Sequence, residues 1–354
     1  MEKKKTSFQA KRSLNATERG APLRIVAIGG GTGLSTLLRG LRDFATASSP
    51  WAPRPVDITA VVTVTDDGGS SGRLRREFDV LPPGDIRNCM VALSEDEALL
   101  SKLLQYRFPS GKGLKGHSFG NLLLTALTNV TGDFIKAVRF CSEVLAISGK
   151  IYPATSINVT LEATLADGSK VTGETNISRS RSRIVRLALK PSDCRPLPET
   201  LAAIAQADLI TIGPGSLFTS LIPNLLVKGI PEAIRRSPAI KACVINLMTQ
   251  PGETTNFTAS DHVQAILDHS YPDLLDFAIV NTTPIQPALR RKYARQKAKP
   301  VEVDTARLEE LGLAVVRAPL AEQGEKVRHD PAALAGTVLD LAALGRTRAG
   351  RSAK

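Results

Sequence analysis

Aromatic side chains and long apolar runs are both scarce in this sequence. Phe, Trp and Tyr make up only 4% of the 354 residues, so the core must be built mainly from aliphatic side chains. A helix needs about 20 consecutive apolar residues to cross a bilayer. The most apolar stretch, residues 209–230, is interrupted by glycines, prolines, Asn224 and Lys228. We therefore expect no membrane span.

The amino terminus and the cysteines indicate a cytoplasmic protein. Residues 1–12 are polar and rich in lysine, and they lack the apolar stretch that follows the basic residues of a signal peptide. The four cysteines lie far apart and share no Cys-x-x-Cys spacing: Cys89, Cys141, Cys194 and Cys243. We therefore expect reduced thiols in the core rather than a disulfide framework or a zinc site.

The formal net charge of +12 raises the question of nucleic-acid binding. Much of the excess lies in two predicted basic tails, a disordered one at residues 1–22 and a second at residues 345–354, which flank a single domain at residues 23–344. Two internal basic clusters, Arg179–Arg183 and Arg290–Lys297, belong to no recognisable nucleic-acid-binding module. A solvated face, or a surface suited to an anionic small ligand, is the favoured interpretation.

Short apolar runs alternate with helical patterns along most of the chain. Five runs are predicted to be strands, at residues 24–28, 56–65, 208–212, 242–246 and 277–280. Repeated strand-to-helix crossovers predict an α/β fold with a mainly parallel sheet covered by helices on both faces. Residues 156–174 instead alternate apolar and polar side chains around Asp167-Gly168, which predicts a β-hairpin inside a small insertion at about residues 151–190.

The first predicted strand ends in the glycine-rich loop Gly29–Ser35. Glycines let the backbone approach a ligand closely, and the start of the following helix attracts phosphate. A purely structural tight turn is the alternative, but the position between a strand and a helix favours a phosphate site. The spacing differs from the G-x-G-x-x-G fingerprint of dehydrogenases. The second strand also ends in an acidic pair rather than a lone acidic residue.

That acidic pair, Asp66-Asp67, precedes the glycine- and serine-rich stretch that ends in Arg73. Two adjacent carboxylates could hold Mg²⁺ beside a phosphate. Either aspartate could equally cap a turn or a helix. His117 lies in a glycine-flanked turn before a predicted helix, where an acid, a base or a phosphate donor would be useful, although a lone histidine is more often structural.

Two further strand ends carry polar loops. Gly213-Pro214-Gly215-Ser216 is a second junction between a strand and a helix, with free amides. Asn246 and Thr249 follow the next strand and could recognise a base or a sugar. Ordinary turns are the alternative for both loops. The sequence contains no Walker motif, nucleophile elbow or kinase motif set, so it predicts phosphate binding without an evident nucleophile.

Several of these motifs, in this order, resemble the bacterial gluconeogenesis factor family. The matching stretches include IVAIGGGTGLSTLLRGL, ITAVVTVTDDGGSSGRLR, PPGDIRNCMVALS, GHSFGNLLLTAL and ADLITIGPGSLFTSLIPNLLV, and the resemblance extends from Arg24 to about Asp330. That family belongs to the superfamily of the phospholactate transferase of deazaflavin coenzyme synthesis. The resemblance implies a Rossmann-like fold and a cytoplasmic regulator of cell shape and peptidoglycan synthesis during gluconeogenic growth.

The resemblance also implies a ligand, a UDP-sugar such as UDP-N-acetylglucosamine, and a set of contacts. We expect no required cofactor, with Mg²⁺ as the one candidate, and no nucleic-acid partner. A protein partner in cell-wall synthesis and a homo-oligomer are compatible with this role. The implied ligand-binding residues are Gly30, Gly31, Thr32, Gly33, Gly213, Gly215, Ser216, Asn246, Thr249, Tyr293 and Arg328. The alternative is a Mg²⁺-dependent transferase of a phosphate-linked group, with Asp66 and Asp67 on the metal and His117 as acid or base. The stretch after Asp66-Asp67 resembles the regulator branch.

Overall fold

The computed structural model describes residues 21–45, 55–94, 100–180 and 182–352. The predicted N-terminal tail falls almost entirely outside these ranges. The strands, in chain order, are β1 Leu23–Gly29, β2 Val56–Val62, β3 Lys150–Pro153, β4 Thr160–Leu165, β5 Lys170–Thr172, β6 Ile184–Lys190, β7 Leu209–Ile212, β8 Ile240–Val244, β9 Phe277–Asn281, β10 Ala314–Ala318, β11 Ala321–Gln323 and β12 Val327–His329.

The helices follow the strands through most of the chain. They are α1 Gly31–Ala45, α2 Gly69–Phe78, α3 Gly84–Leu93, α4 Leu100–Gln105, α5 Phe119–Thr131, α6 Phe134–Val144, α7 Glu174–Arg179, α8 Pro198–Gln206, α9 Ile222–Leu225, α10 Ile230–Arg236, α11 Ala259–Asp268, α12 Pro287–Ala294, α13 Thr305–Glu310 and α14 Pro331–Ser352. A π-helical turn, Leu217–Leu221, leads directly into α9.

Seven strands form one parallel sheet in the order β10-β9-β8-β7-β1-β2-β3. Successive side chains of a strand point to opposite faces of the sheet. Ile25, Val26, Ala27 and Ile28 of β1 are all buried, so helices must cover both faces. On one side, α1, α3 and α14 pack together beside β1 and β2. The predicted α/β fold is confirmed.

The predicted insertion is a three-stranded antiparallel sheet in the order β5-β4-β6. Leu161, Ala163 and Leu165 of β4 are buried, while the residues between them are partly exposed. The β4–β5 turn contains Gly168 with a φ of +82°, and the Asp167 carboxylate accepts a hydrogen bond from the Ser169 backbone N–H at 2.9 Å. The alternation of residues 156–174 therefore identified this hairpin correctly.

The chain beyond Leu344 is helical where the sequence predicted a basic tail. Helix α14 continues to Ser352, because Leu334, Val338, Leu341 and Ala342 bury one side of it in the core. Its next turn is held by Arg346, whose Nε and Nη2 each donate to an oxygen of Asp208 at 2.6 Å. None of the helices in the described ranges is long and apolar enough to cross a membrane.

Replacing Arg346 by alanine should lower the free energy of unfolding by about 1–3 kcal/mol, because the nearly buried Asp208 carboxylate would lose two charge-assisted hydrogen bonds. Urea denaturation measures the change. The matched control is Arg307→Ala, which removes an exposed pair with Glu310 on α13 and should cost no more than about 0.5 kcal/mol. Equal losses in the two variants would contradict a stabilising role for the Arg346–Asp208 pair.

Candidate functional site

A cleft of about 580 Å³ opens at the carboxyl ends of β1, β7 and β8. The chain runs from β1 to β2 on one side, whereas β7 pairs with the other side of β1. The strand order therefore reverses between β1 and β7: β2 and β3 are added on one side of β1, and β7 to β10 on the other. Ligands of open α/β sheets bind at such a switch point. The predicted ligand residues that line the cleft are Gly30, Gly31, Thr32, Gly33, Gly215, Ser216, Asn246, Thr249, Tyr293 and Arg328. Gly213 lies behind the lining.

The first wall is the loop that leads from β1 into α1. A Cβ atom on Gly30 would lie 2.6 Å from the Thr63 Cγ2 atom and 2.7 Å from the Asp85 Oδ2 atom. Gly31 has a φ of +62°, which a glycine adopts without strain. Helix α1 begins at Gly31, so its positive end and its first amides lie at the cleft. This arrangement can bind a phosphate group.

The second wall combines the loops that follow β7 and β8. A Cβ on Gly33 would lie 2.4 Å from the Pro214 carbonyl oxygen, so the two glycine loops touch through their backbones. The Asn246 Nδ2 atom donates to the Gly215 carbonyl at 2.9 Å, and Gln250 Nε2 donates to Ser216 Oγ at 2.8 Å. The side chains after β8 thus brace the loop after β7.

The third wall comes from α12 and β12. Tyr293 is fixed there because its hydroxyl oxygen accepts a hydrogen bond from the Val327 N–H at 3.1 Å. Arg328 and Arg39 supply two guanidinium groups, and none of the lining residues within the described ranges carries a carboxylate. Burial lowers the pKa of the neighbouring His329 to about 4, so this imidazole is neutral near pH 7. The cleft therefore suits an anionic ligand.

The sequence reasoning did not identify Arg39, although a signal for it exists. Thr32, Thr36 and Arg39 follow one another at helical spacing along α1, and all three line the cleft. Residues four and seven positions after Thr32 lie on the same face of the helix as Thr32. A ligand site at Thr32 therefore predicts that Thr36 and Arg39 also face the ligand.

Five carboxylates lie beside the cleft without lining it. They are Asp66, Asp67, Asp85, Glu174 and Glu253, which perturb one another electrostatically. Asp85 accepts a hydrogen bond from the Gly31 N–H, while its burial raises its pKa to about 6. Burial, together with the charges of the other four carboxylates, raises the pKa of Glu174 to about 9. Glu174 is therefore protonated at neutral pH.

Asp66 and Asp67 act as caps in this structure. Asp66 Oδ1 accepts a hydrogen bond from the Gly68 N–H at 2.9 Å. Asp67 Oδ1 accepts from both the backbone N–H and the hydroxyl of Thr175, at 2.9 and 2.6 Å, in the first turn of α7. Within the described ranges, no group of three or more His, Cys, Asp or Glu side chains is arranged to hold a metal ion. This geometry does not fit a Mg²⁺ site.

His117 lies outside the cleft, in the contact between α2 and α5. Its Nδ1 atom is 2.9 Å from the Ser70 hydroxyl oxygen, and only 3% of the residue is exposed. Burial and the charge of Arg73 lower its pKa, so the ring is neutral near pH 7. The next residue, Ser118, caps α5 and accepts a hydrogen bond from Arg87. These contacts are those of a structural histidine.

The fold and the cleft define a Rossmann-like α/β protein with a glycine-lined cleft between β1 and β7 of its sheet. Residues 25–321 match the family of the 2-phospho-L-lactate transferase CofD. The chain is 49% identical to a gluconeogenesis factor of Halalkalibacterium halodurans, over 89% of this chain and 95% of that protein. It is 48% identical to the gluconeogenesis factor of Bacillus subtilis, over 90% of this chain and 98% of that protein.

A solved structure supports the same assignment. The crystal structure of a Bacillus halodurans protein superposes with a TM-score of 0.85 at 48% sequence identity, and the match covers 90% of this chain and 99% of that chain. The chain belongs to the CofD family, within its group of gluconeogenesis factors.

Proposed function

We propose that this protein is a cytoplasmic regulatory factor that binds a nucleotide sugar of the UDP-N-acetylglucosamine type. In this role it links gluconeogenic growth to cell shape and peptidoglycan synthesis. The observation that carries the proposal is the cleft between β1 and β7, where two glycine loops and two guanidinium groups line the site and the part of the lining that the structure describes has no carboxylate. The names of the relatives, gluconeogenesis factors, support the physiological part.

Each wall of the cleft has a role in this proposal. The diphosphate lies at the start of α1, where free amides and the helix dipole favour negative charge. Thr249 and Gln250 lie on the opposite wall, where their side chains can meet sugar hydroxyls. The Tyr293 ring offers a flat apolar surface for a base, and Arg328 reaches the phosphates or the sugar. All of these groups bind, and none of them is placed as a nucleophile.

The second candidate function is transfer of a phosphate-linked group. It is favoured by the family description, a 2-phospho-L-lactate transferase, and by the Asp85 carboxylate, which lies directly behind Gly30 and accepts a hydrogen bond from the Gly31 N–H. Asp85 and Glu174 have raised pKa values, as acid–base groups often do. In the regulatory proposal, the same carboxylates stabilise the loop and the insertion.

Isothermal titration with UDP-N-acetylglucosamine separates the two functions. The regulatory proposal predicts saturable binding, after which chromatography recovers the ligand unchanged, with and without Mg²⁺. Release of UDP or UMP would instead establish transfer or hydrolysis. A nucleic-acid binder would show neither result. It would instead bind duplex DNA with an affinity that falls steeply with salt concentration, and the UDP-sugar would not compete with the DNA.

Replacing Arg328 by alanine should weaken binding of UDP-N-acetylglucosamine by roughly 10- to 100-fold, because a charge-assisted contact in the cleft would be lost. Titration calorimetry measures the change. Lys326→Ala is the matched control: it removes a cation of the same hairpin that does not line the cleft, and its affinity should stay within about twofold. Equal affinities of Arg328→Ala and the unmodified protein would remove Arg328 from the site.

A further inference from the structure

A second cavity, of about 440 Å³, adjoins the cleft at the carboxyl ends of β8 and β9. Its lining includes Asn281, Thr283, Arg290, Lys299, Val301 and Glu302. Cavities of about 300–1,000 Å³ are typical of small-molecule sites, and this edge of an α/β sheet is where such sites form. Neither the glycine loops nor Tyr293 and Arg328 line this second cavity, so the proposed nucleotide-sugar site does not include it.

A thin shared wall separates the two cavities. Its core is a short pairing between residues 247–249 and residues 299–301. The Thr249 N–H donates to the Lys299 carbonyl at 2.8 Å, and the Val301 N–H donates to the Leu247 carbonyl at 3.1 Å. Asn246 and Leu247 line both cavities. A ligand in either cavity can therefore contact the same two residues, Asn246 and Leu247.

Helix α12 forms a second part of the wall. Tyr293 of this helix lines the first cleft, and Arg290, one turn earlier, lines the second cavity. The hydroxyl of Tyr293 is tied to the Val327 N–H. A shift of α12 that brought Arg290 toward a ligand would therefore either break this hydrogen bond or move Val327 and Arg328 together with Tyr293, and both results change the wall of the first cleft.

The charges of the second cavity favour an anion. Arg290 and Lys299 have no carboxylate within ion-pair distance among the residues that the structure describes, and Glu302 is the lone acidic residue of the lining. Asn281 has a structural role, because its Oδ1 atom accepts hydrogen bonds from the N–H groups of Thr283 and Leu320, each at 3.0 Å. Two cations and the Thr283 hydroxyl remain for a ligand, a set suited to a phosphate and adjoining hydroxyl groups.

We infer that the second cavity binds a small phosphorylated sugar, and that its occupancy changes the affinity of the neighbouring cleft through the shared wall. Arg290 and Lys299 hold the phosphate of this second ligand. Glu302 accepts hydrogen bonds from its hydroxyl groups. Coupling between two sites is reciprocal, so the ligand of the cleft must change the affinity for the phosphorylated sugar by the same factor.

The test uses glucose 6-phosphate as the probe, with glucose as the uncharged control, and isothermal titration of the full chain. The expected result is saturable binding of glucose 6-phosphate and none of glucose. Arg290→Gln should weaken that binding by tenfold or more. The matched control is Arg291→Gln, an exposed neighbour on the same helix that lines neither cavity, and it should bind as the unmodified protein does.

The coupling is read from titrations of UDP-N-acetylglucosamine with and without saturating glucose 6-phosphate, and only this part rests on the proposed function. A changed affinity that disappears in Arg290→Gln supports the inference. Absence of saturable glucose 6-phosphate binding would overturn it. So would binding that Arg290→Gln leaves intact and Arg328→Ala removes, because the probe would then occupy the cleft. Binding of the UDP-sugar alone would leave the proposed function standing while this inference fails.

Discussion

Replacing Gly33 by alanine should abolish measurable binding of UDP-N-acetylglucosamine. The new Cβ atom would lie 2.4 Å from the Pro214 oxygen and 2.8 Å from the Gly215 nitrogen, and both are backbone atoms that no side-chain rotation can move. The two glycine loops would have to separate, which would misplace the start of α1 relative to the wall opposite. We expect at least a ~100-fold loss of affinity and a loss of about 1–3 kcal/mol in the free energy of unfolding.

Isothermal titration and urea denaturation measure both effects in the same preparation. The matched control is Gly336→Ala on α14, where an added Cβ would meet no atom within 4 Å. There, alanine should stabilise the helix by up to about 1 kcal/mol and leave binding unchanged. If Gly33→Ala bound the ligand with the affinity of the unmodified protein, the contact between the glycine loops would have no part in the site.

Replacing Glu174 by glutamine should make the protein more stable at alkaline pH. The folded protein holds Glu174 at a pKa of about 9, against an ordinary value of 4.5, because the partly buried side chain is desolvated and lies near Asp66, Asp85 and Glu253. The folded state therefore binds more protons than the unfolded state between these two values. Stability from this group is fully present below pH 4.5 and is lost as the pH rises toward 9.

Glutamine cannot ionise and has nearly the shape of the protonated acid, so it removes that loss. At pH 8 we expect Glu174→Gln to exceed the unmodified protein by about 1–3 kcal/mol, and at pH 5 to match it closely. Urea denaturation at both pH values gives the comparison. Glu309→Gln, on the exposed side of α13, serves as the control. It should change the free energy of unfolding only slightly, and by the same amount at pH 5 and pH 8. A Glu174→Gln variant that gains nothing between pH 5 and pH 8 would show that Glu174 is ionised in the folded protein.

The central part of the sheet could be predicted from the sequence, but its edges could not. The apolar runs of β1, β2, β7, β8 and β9 are buried on both faces, which gives them their continuous hydrophobic pattern. The edge strand β3 has only four residues, and β10 is partly exposed along its length. Short or half-exposed strands leave no such pattern, so neither was predicted.

The glycine loops and the polar residues after β8 were predictable because they follow strands in the sequence. Tyr293 and Arg328 were indicated only by the family resemblance, and the carboxylates behind the glycine loop were not predictable. Glu174 and Glu253 come close to Asp66 and Asp85 only after the insertion has folded and α7 has docked on the caps that Asp67 provides. No local pattern predicts such a meeting of distant segments. The insertion, which the sequence marks only as a hairpin, thus determines the electrostatics behind the glycine loop.

The contact of Arg346 with Asp208 and Pro22 has a practical consequence for how the protein can be handled. The guanidinium donates to the Pro22 carbonyl oxygen as well as to Asp208, so residues near both ends of the described chain meet at the amino-terminal edge of the sheet. Strand β1 has seven residues, about 23 Å at the usual rise per residue, and it separates this edge from both cavities. A fluorophore attached next to Pro22 or Arg346 would therefore lie at the opposite end of β1 from both ligand entrances. A circularly permuted chain that joins the two ends across this contact and opens elsewhere should keep the same fold.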